Sequence, residues 1–525
     1  MKLERVVALS ALALAIAGCE SGDINLTPTN VGTGGTTGGT GGGTGGATNF
    51  CASYVESAQT FQGAVDGPNC VYSALFVSDT KPISVDSITF PALDNGGIHI
   101  FEDSLYIGED VPATAAATGK RIPQEGEGTR LTIAPGNIMA FQSGDSYVRI
   151  ARGSQIFAQG TADTPIIFTA DEDEIAGGAG ATESDRGLWG GLQINGNGQT
   201  NKCHDGTATG SGSGASDFDA TANNVHNCHV TAEGRPATYG GNNNAENSGA
   251  LEYVVVKHAG FEVVDGDELN AITLNGVGSG TTISHVQVYT TQDDGFEMFG
   301  GAVNMDHIVA VNVGDDSIDY SEGYVGDIQY AVVLHTSGAN RCIEGDNTGG
   351  GRDDGLTPTT KLRISNMTCI TSNVDEDAGM NPSSKGDSEG PLFREGTYFE
   401  MYNSLVTSNE AMMGSNECLE LDDTEGPETI DAAQAGTSIA ISNLIACSEP
   451  LKVGADAANS AFDAQPEGTG LTIWLNGGDG SADFPTNTNA DNVVVDTGLL
   501  PANLIVGGVG TRGYLTEASL TDSAS

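Results

Sequence analysis

Short apolar strands recur along most of the chain at a regular spacing. Ile133-Ala134-Pro135-Gly136 returns 17 residues later as Ile150-Ala151-Arg152-Gly153, and each is followed by an apolar patch and a Gln, Gln142 or Gln159. EYVVVK (252–257), SHVQVY (284–289), DHIVAV (306–311) and QYAVVL (329–334) come next, the last three stepping by 22 and 23 residues. Further on, SNMTCI (365–370), YNSLVT (402–407) and SNLIAC (442–447) repeat an Asn-centred turn into a strand, 37 and 40 residues apart, the excess being taken up by loops. Helical periodicity is confined to Thr48–Thr60. Coils of 17 to 25 residues with three short strands each and Gly or Asn at the corners predict an all-β chain, a right-handed parallel β-helix. A β-sandwich is the competing arrangement, but repeats in one register favour stacking over hairpins.

RGLWGGLQING (186–196), SGALEYVVVKHAG (248–260) and ELNAITLNGVGSGTTISHVQVY (268–289) resemble exported bacterial β-helix lipoproteins of the pectin-lyase-like superfold, over residues 128 to 410 or so. That group is largely uncharacterised, so the resemblance implies the fold and says little about activity. On this frame residues 50–127, which lack the repeat, are expected to cap the first coil's open edge. Residues 128–450 then form the β-helix, with a Gly-, Asn- and Thr-rich loop insertion at 201–247, and 451–525 form the C-terminal cap.

The first residues change where this solenoid is expected to reside. Lys2 and Arg5 precede an apolar stretch, Val6 to Ala17, that is too short to span a bilayer. The sequence Ile16-Ala17-Gly18-Cys19 resembles the lipobox of bacterial lipoproteins. The match implies removal of a signal peptide, 1–18, and acylation of Cys19, including palmitate. Glu20 and Ser21 follow in place of a retaining Asp, which points to the outer membrane, at the cell surface or on the periplasmic leaflet. Residues 19–49 make the lipidated cysteine and a Gly/Thr-rich tether with a root-mean-square reach of roughly 30 Å. The acyl chains are the expected membrane contact.

Seventy acidic against 20 basic residues give a net charge of −50, a field that repels nucleic acid and attracts cations. Besides Cys19 there are eight cysteines, at 51, 70, 203, 228, 342, 369, 418 and 447, and in an exported chain they are expected to form disulfides. Eight cysteines allow 105 connectivities. Sequential pairing is the simplest, because each separation is about one coil and stacked positions lie at about strand spacing.

The acidic residues are not spread evenly. QDDGFEMFGG (292–301) aligns with GDDSIDYSEG (314–323), placing Asp293 over Asp315, Asp294 over Asp316 and Glu297 over Asp319. CIEGD (342–346) matches CLELD (418–422), and LFRE (392–395) lies between them. With Leu269, Phe296, Ile318, Ile343, Phe393 and Leu419 facing inward, the next residues form an outward ladder of Asn270, Glu297, Asp319, Glu344, Arg394 and Glu420. Carboxylates stacked about 5 Å apart cost roughly 3 kcal/mol per pair at an effective dielectric near 20. Arg394 is placed to bridge Glu344 and Glu420, whereas Glu297 and Asp319 stand among Asp293, Asp294, Asp315 and Asp316. Calcium is the expected counter-ion there, being tolerant of irregular oxygen ligation; a solvated acidic face is the alternative.

Two functional readings stay open. The first is a non-catalytic protein that uses this face, with loops 201–247 and 345–358, to hold a glycan or an outer-membrane protein partner. The second is a polysaccharide lyase or glycoside hydrolase, with Asp293, Asp294, Asp315 and Asp316 as acids and Arg341, Arg352 or Arg394 as base. Against it, the Gly-His-Gly and Arg-Ile-Lys segments of polygalacturonases are missing. His285 and His307, 22 residues apart and flanked by Tyr253 and Tyr330, are expected to stack, either as a bare aromatic ladder or as a sugar-binding or catalytic face, and Glu344 and Glu420 are further candidates for ligand binding. Cys203, His204, His226, Cys228 and His229 could instead bind zinc. No phosphate-binding Gly loop, HExxH or nucleophile elbow is present.

Overall fold

The computed structural model describes residues 49–110, 121–174, 180–203, 228–264, 267–336, 339–347, 357–372, 386–408, 417–423, 428–454, 461–462, 468–496, 498, 504–506 and 520–522. The signal, Cys19 and the tether lie outside these residues, as do His204, His226, Arg352 and parts of both loops. Among the described residues no helix is long and apolar enough to cross a membrane.

The chain winds into a parallel β-helix with three strand-bearing faces. One face is a ten-strand sheet running from Leu105–Ile107 through Tyr147–Ile150, Gly191–Asn195, Ile272–Asn275, Phe296–Phe299 and Ile318–Ser321 to Lys452–Gly454. The other two share a 19-strand sheet, because strands such as Gly249–Lys257, Thr282–Thr291 and Asn304–Val313 run across both. Where they cross, each coil bends at one left-handed residue. These are Tyr253, His285, His307, Tyr330, Asn366, Asn403, Ser442 and Asp491, with φ between 46° and 61°. Tyr and His pay a steric cost in this region that Asn largely avoids, so their repetition at one corner asks for an explanation.

Alternation accounts for the core. Phe296 and Met298 point inward and stack in register on Ile318 and Tyr320, all fully buried. Aromatic rings continue the column elsewhere, with Phe101 on Phe141 and Phe141 on Trp189 at 5.1 and 4.7 Å between centroids.

The coils start earlier than the repeat suggests. Asn69–Tyr72 already pairs in parallel with His99–Phe101, and Ser87–Phe90 with Arg130–Ile133. At this end the antiparallel pairs within Ser53–Tyr72 depart from the coil pattern. Irregular links of varying length between those first strands hide the period. The described part of the expected helix, 49–60, is not helical: Ser53–Glu56 and Gln59–Gln62 form a hairpin whose two turn residues, Ser57 and Ala58, both have positive φ. That turn type normally announces itself with Asn-Gly or Gly, and here it does not. At the other end Val493–Val495 still stacks on Leu444–Ala446, while the helix Thr469–Leu475 buries Trp474 against Phe399.

Four disulfides join Cys51–Cys70, Cys203–Cys228, Cys342–Cys369 and Cys418–Cys447, the sequential pairing. The stacking argument for it needs correction. Cys369 stacks in register on Val333 and Val406 in the long sheet, whereas Cys342 lies two residues before Glu344–Gly345, a strand of the ten-strand sheet. The bond therefore links two faces across the buried interior instead of tying equivalent positions of successive coils.

Candidate functional site

The outer side of the ten-strand sheet carries the acidic ladder, and its true rungs are Arg149, Gln193, Thr273, Glu297, Asp319, Glu344, Leu392, Glu420 and Lys452. Glu297, Asp319, Glu344 and Glu420 stand where expected. Arg394 does not: Leu392 takes its rung. A two-residue slip leaves every side chain on the same face, so alternation could not detect it. Arg394 bridges Glu344 and Asp346, with Nε 2.9 Å from Asp346 Oδ1 and an Nη 3.1 Å from Glu344 Oε2. Glu420 is paired by Arg341 at 2.9 Å, which also holds Glu389, and by Lys452. Thr273 replaces Asn270, whose amide instead reaches up from the preceding turn to donate to Glu297.

The C-terminal half of the ladder is thus threaded with cations. The stretch around Glu297 and Asp319 is not. Asp294, Glu297, Asp316 and Asp319 form no salt bridge among the described residues, and Asp293, Asp294, Glu297 and Asp316 are buried. Burial, and then Asp293, pushes the Asp294 carboxyl well above the usual range; burial and Glu233 do the same to Glu297. Burial and Glu344 raise both Asp316 and Asp319. Glu344 is pushed up to about 7 by burial, against the pull of Arg394.

Two of these acids also build the turns. Asn270 Oδ1 accepts the Asp294 N–H at 3.1 Å, Asp294 Oδ1 accepts the Asp316 N–H at 2.9 Å, and Asp316 Oδ1 accepts the Arg341 N–H at 2.7 Å. Each coil is clasped by the side chain below it. One oxygen of Asp294 and Asp316 is committed to that bond and the other remains for chemistry. Donor atoms of Asp293, Asp294 and Asp315 lie within 4.8 Å of one another, as do those of Asp294, Glu297 and Asp319, and those of Asp316, Asp319 and Glu344. Asp319 Oδ1 is buried and accepts no hydrogen bond. A carboxylate shared by two such triads, with one of its oxygens orphaned, fits a hard divalent cation.

Residues 228–241 lie over the same face. Gln193 donates to the Glu233 carbonyl at 3.0 Å, and the Arg235 N–H to Tyr147 Oη at 3.1 Å. The segment is fastened by the Cys203–Cys228 disulfide and by Arg152, which is fully buried. The Arg152 guanidinium donates to the Cys228 and Gly240 carbonyls at 2.7 and 2.8 Å and pairs with Asp110. A further Nη meets Thr238 Oγ1 and His229 Nδ1, both at 2.9 Å. The disulfide and the arginine leave the zinc reading of this segment without its thiolates. Arg152 escaped sequence reasoning because the 17-residue repeat aligns it with Pro135, whereas Pro135 follows Arg130–Ile133 of the long sheet and Arg152 follows Tyr147–Ile150 of the ten-strand sheet. Under residues 236–238 a cavity of about 220 Å³ is lined by Glu109, Asp110, Arg149 and Asn195, among others.

His285 and His307 stack as expected, between Tyr253 and Tyr330, but at the bend shared by the other two faces. They do not join Glu344 and Glu420 in one binding face.

A family model described as a pectate-lyase-like beta helix domain matches residues 116–470. No curated protein and no solved structure matches the chain.

Proposed function

We propose, for a chain that belongs to the pectate-lyase-like β-helix family, a role as an outer-membrane lipoprotein whose acidic face takes up calcium and binds an extended glycan without cleaving it. The observation that carries this reading is the buried, unpartnered Asp319 Oδ1 amid Asp294, Glu297, Asp316 and Glu344. Calcium would be held by those carboxylates and would supply the positive charge that lets a hydroxyl- or carboxylate-bearing sugar approach. The polar cavity beside Arg149 and Asn195 on the same face offers room for one sugar-sized group. The enzyme reading is weakened by its base. Arg341 and Arg394 are each gripped by two carboxylates, which hold both guanidinium groups protonated.

Calcium at 100 times its dissociation constant stabilises the fold by about 2.7 kcal/mol. Chelation is therefore expected to lower the melting temperature and added calcium to restore it, with magnesium a poor substitute. Acids whose folded pKa is raised favour the fold below their unfolded pKa and lose that contribution as pH climbs through the folded one. Chelated protein should accordingly be more stable near pH 5 than near pH 8, and calcium should flatten the difference. Glu297→Gln with Asp319→Asn should remove both responses. A melting curve indifferent to chelator at every pH would end the calcium reading. A glycan array run with and without chelator tests the ligand, and assays for new reducing ends and unsaturated products decide between binding and cleavage.

The anchor is tested separately. Cys19→Ala is expected to release folded protein from membranes, and a variant that still sediments with them after a salt wash would refute lipidation as the anchor.

A further inference from the structure

The bend shared by two faces places chemistry where the acidic ladder plays no part. Ser284 and Asp306 stand in register on adjacent strands, each followed by a left-handed histidine, His285 (φ 55°) and His307 (φ 52°). The two imidazoles lie 4.4 Å apart between centroids with 7° between their planes, and both reach solvent. Tyr253 covers one end of the stack at 4.5 Å and Tyr330 the other at 4.8 Å. Ring faces are therefore occupied by ring faces, and only the edges of the imidazoles are open to a ligand.

Hydrogen bonds decide what those edges offer. Ser284 Oγ lies 2.7 Å from Asp306 Oδ1, and a carboxylate can only accept, so the serine hydrogen is spent there. Ser284 Oγ is also 2.8 Å from His285 Nδ1, and it must accept from that nitrogen. Asp306 Oδ1 likewise accepts from His307 Nδ1 at 2.5 Å. Both rings thus carry hydrogen on Nδ1, and in the neutral ring Nε2 is left as a bare lone pair. Each imidazole is orientated through Nδ1 by a hydrogen bond to oxygen, the feature that fixes the tautomer of metal-binding histidines.

We infer that His285 and His307 form a surface site for a borderline transition-metal ion, Zn²⁺ or Cu²⁺, taken through the two Nε2 atoms, with Asp306 as a positioning residue and water completing the shell. Donor atoms of His285, Asp306 and His307 already lie within 4.8 Å of one another. Two metal–nitrogen bonds of about 2.0–2.1 Å span at most about 4.1 Å and each lies in the plane of its ring, so the stacked rings must part and swing their Nε2 edges together to share one ion. The site also gives a reason for histidine in a conformation that Asn366 and Asn403 adopt at the same corner more easily. It is independent of the calcium reading: nitrogen donors select borderline metals and the carboxylate seam selects hard ones.

The test uses the full chain without a histidine tag, in excess calcium so that the carboxylate seam is not the acceptor. One equivalent of Cu²⁺ should give an electron paramagnetic resonance spectrum with hyperfine splitting from two imidazole nitrogens. Zinc titration should show one site. His285→Gln or His307→Gln should weaken it at least tenfold and abolish the two-nitrogen pattern, while Asp306→Asn should weaken it about tenfold with both nitrogens retained. Glu297→Gln with Asp319→Asn should leave it unchanged. The other described histidines, His99, His229, His258 and His335, are buried and do not compete, and His204 and His226 are replaced by Gln in every protein tested. Oxygen-only coordination of copper, or a zinc isotherm unaltered in His285→Gln and His307→Gln, would overturn the assignment.

Discussion

Arg152→Met is expected to cost about 3–5 kcal/mol, with the loss concentrated in residues 228–241. Methionine fills a similar space but offers no donor. It would leave Asp110, itself mostly covered, without its charged partner and the Cys228 and Gly240 carbonyls without their guanidinium. Removing one member of a buried pair is costly because the other remains desolvated. Arg152→Lys should recover part of the loss: the charge returns, but a single ammonium cannot reach carbonyls, carboxylate and imidazole from one planar fork. Hydrogen exchange of 228–241 and the denaturation midpoint report the outcome. A methionine variant with wild-type protection in that segment would refute the role given to Arg152.

Cys342→Ala with Cys369→Ala is expected to destabilise by about 3.5 kcal/mol, the chain-entropy value for a loop of this size. The bond encloses a separation of 27 residues, and both cysteines are fully buried. Because it ties two faces across the interior, its removal should loosen the coil's cross-section while leaving strand stacking along the axis in place. Reduced wild type should resemble the double variant. If the double variant melts with the oxidised wild type, the cross-link constrains nothing that the packing does not already hold.

The architecture was legible because it rests on repetition. SHVQVY and DHIVAV stand in register in the structure as they do in the sequence, and so do Glu297 and Asp319. What repetition could not show was anything that respects the period-two rule while breaking register. Leu392 and Arg394 point the same way, so the pairing of Arg394 with Asp346 was invisible, as was the substitution of Arg341 for it at Glu420. The first coils escaped because their links vary in length. The covering segment escaped for a different reason: its position is set by contacts between residues some 80 positions apart, such as Arg152 with Cys228 and Gly240, and no local pattern records them. The acid ladder was readable as a charge problem; that Asp294 and Asp316 also hold backbone N–H groups was not.

That double duty changes how the molecule can behave over distance. In a solenoid each unit touches only its neighbours, so stability is close to a sum of nearest-neighbour terms and disorder moves as a boundary along the axis. Asp294 and Asp316 sit in those terms: each is both a carboxylate of the acidic seam and the clasp on the next coil's backbone. Whatever occupies the seam, a proton or a cation, therefore alters the coupling constant between adjacent coils and not merely the energy of one of them. The stretch from Asn270 to Arg341 becomes a pinning segment for a melting front arriving from either end. An ion bound there would strengthen the pin, and its loss would let the two halves of the rod unravel as one.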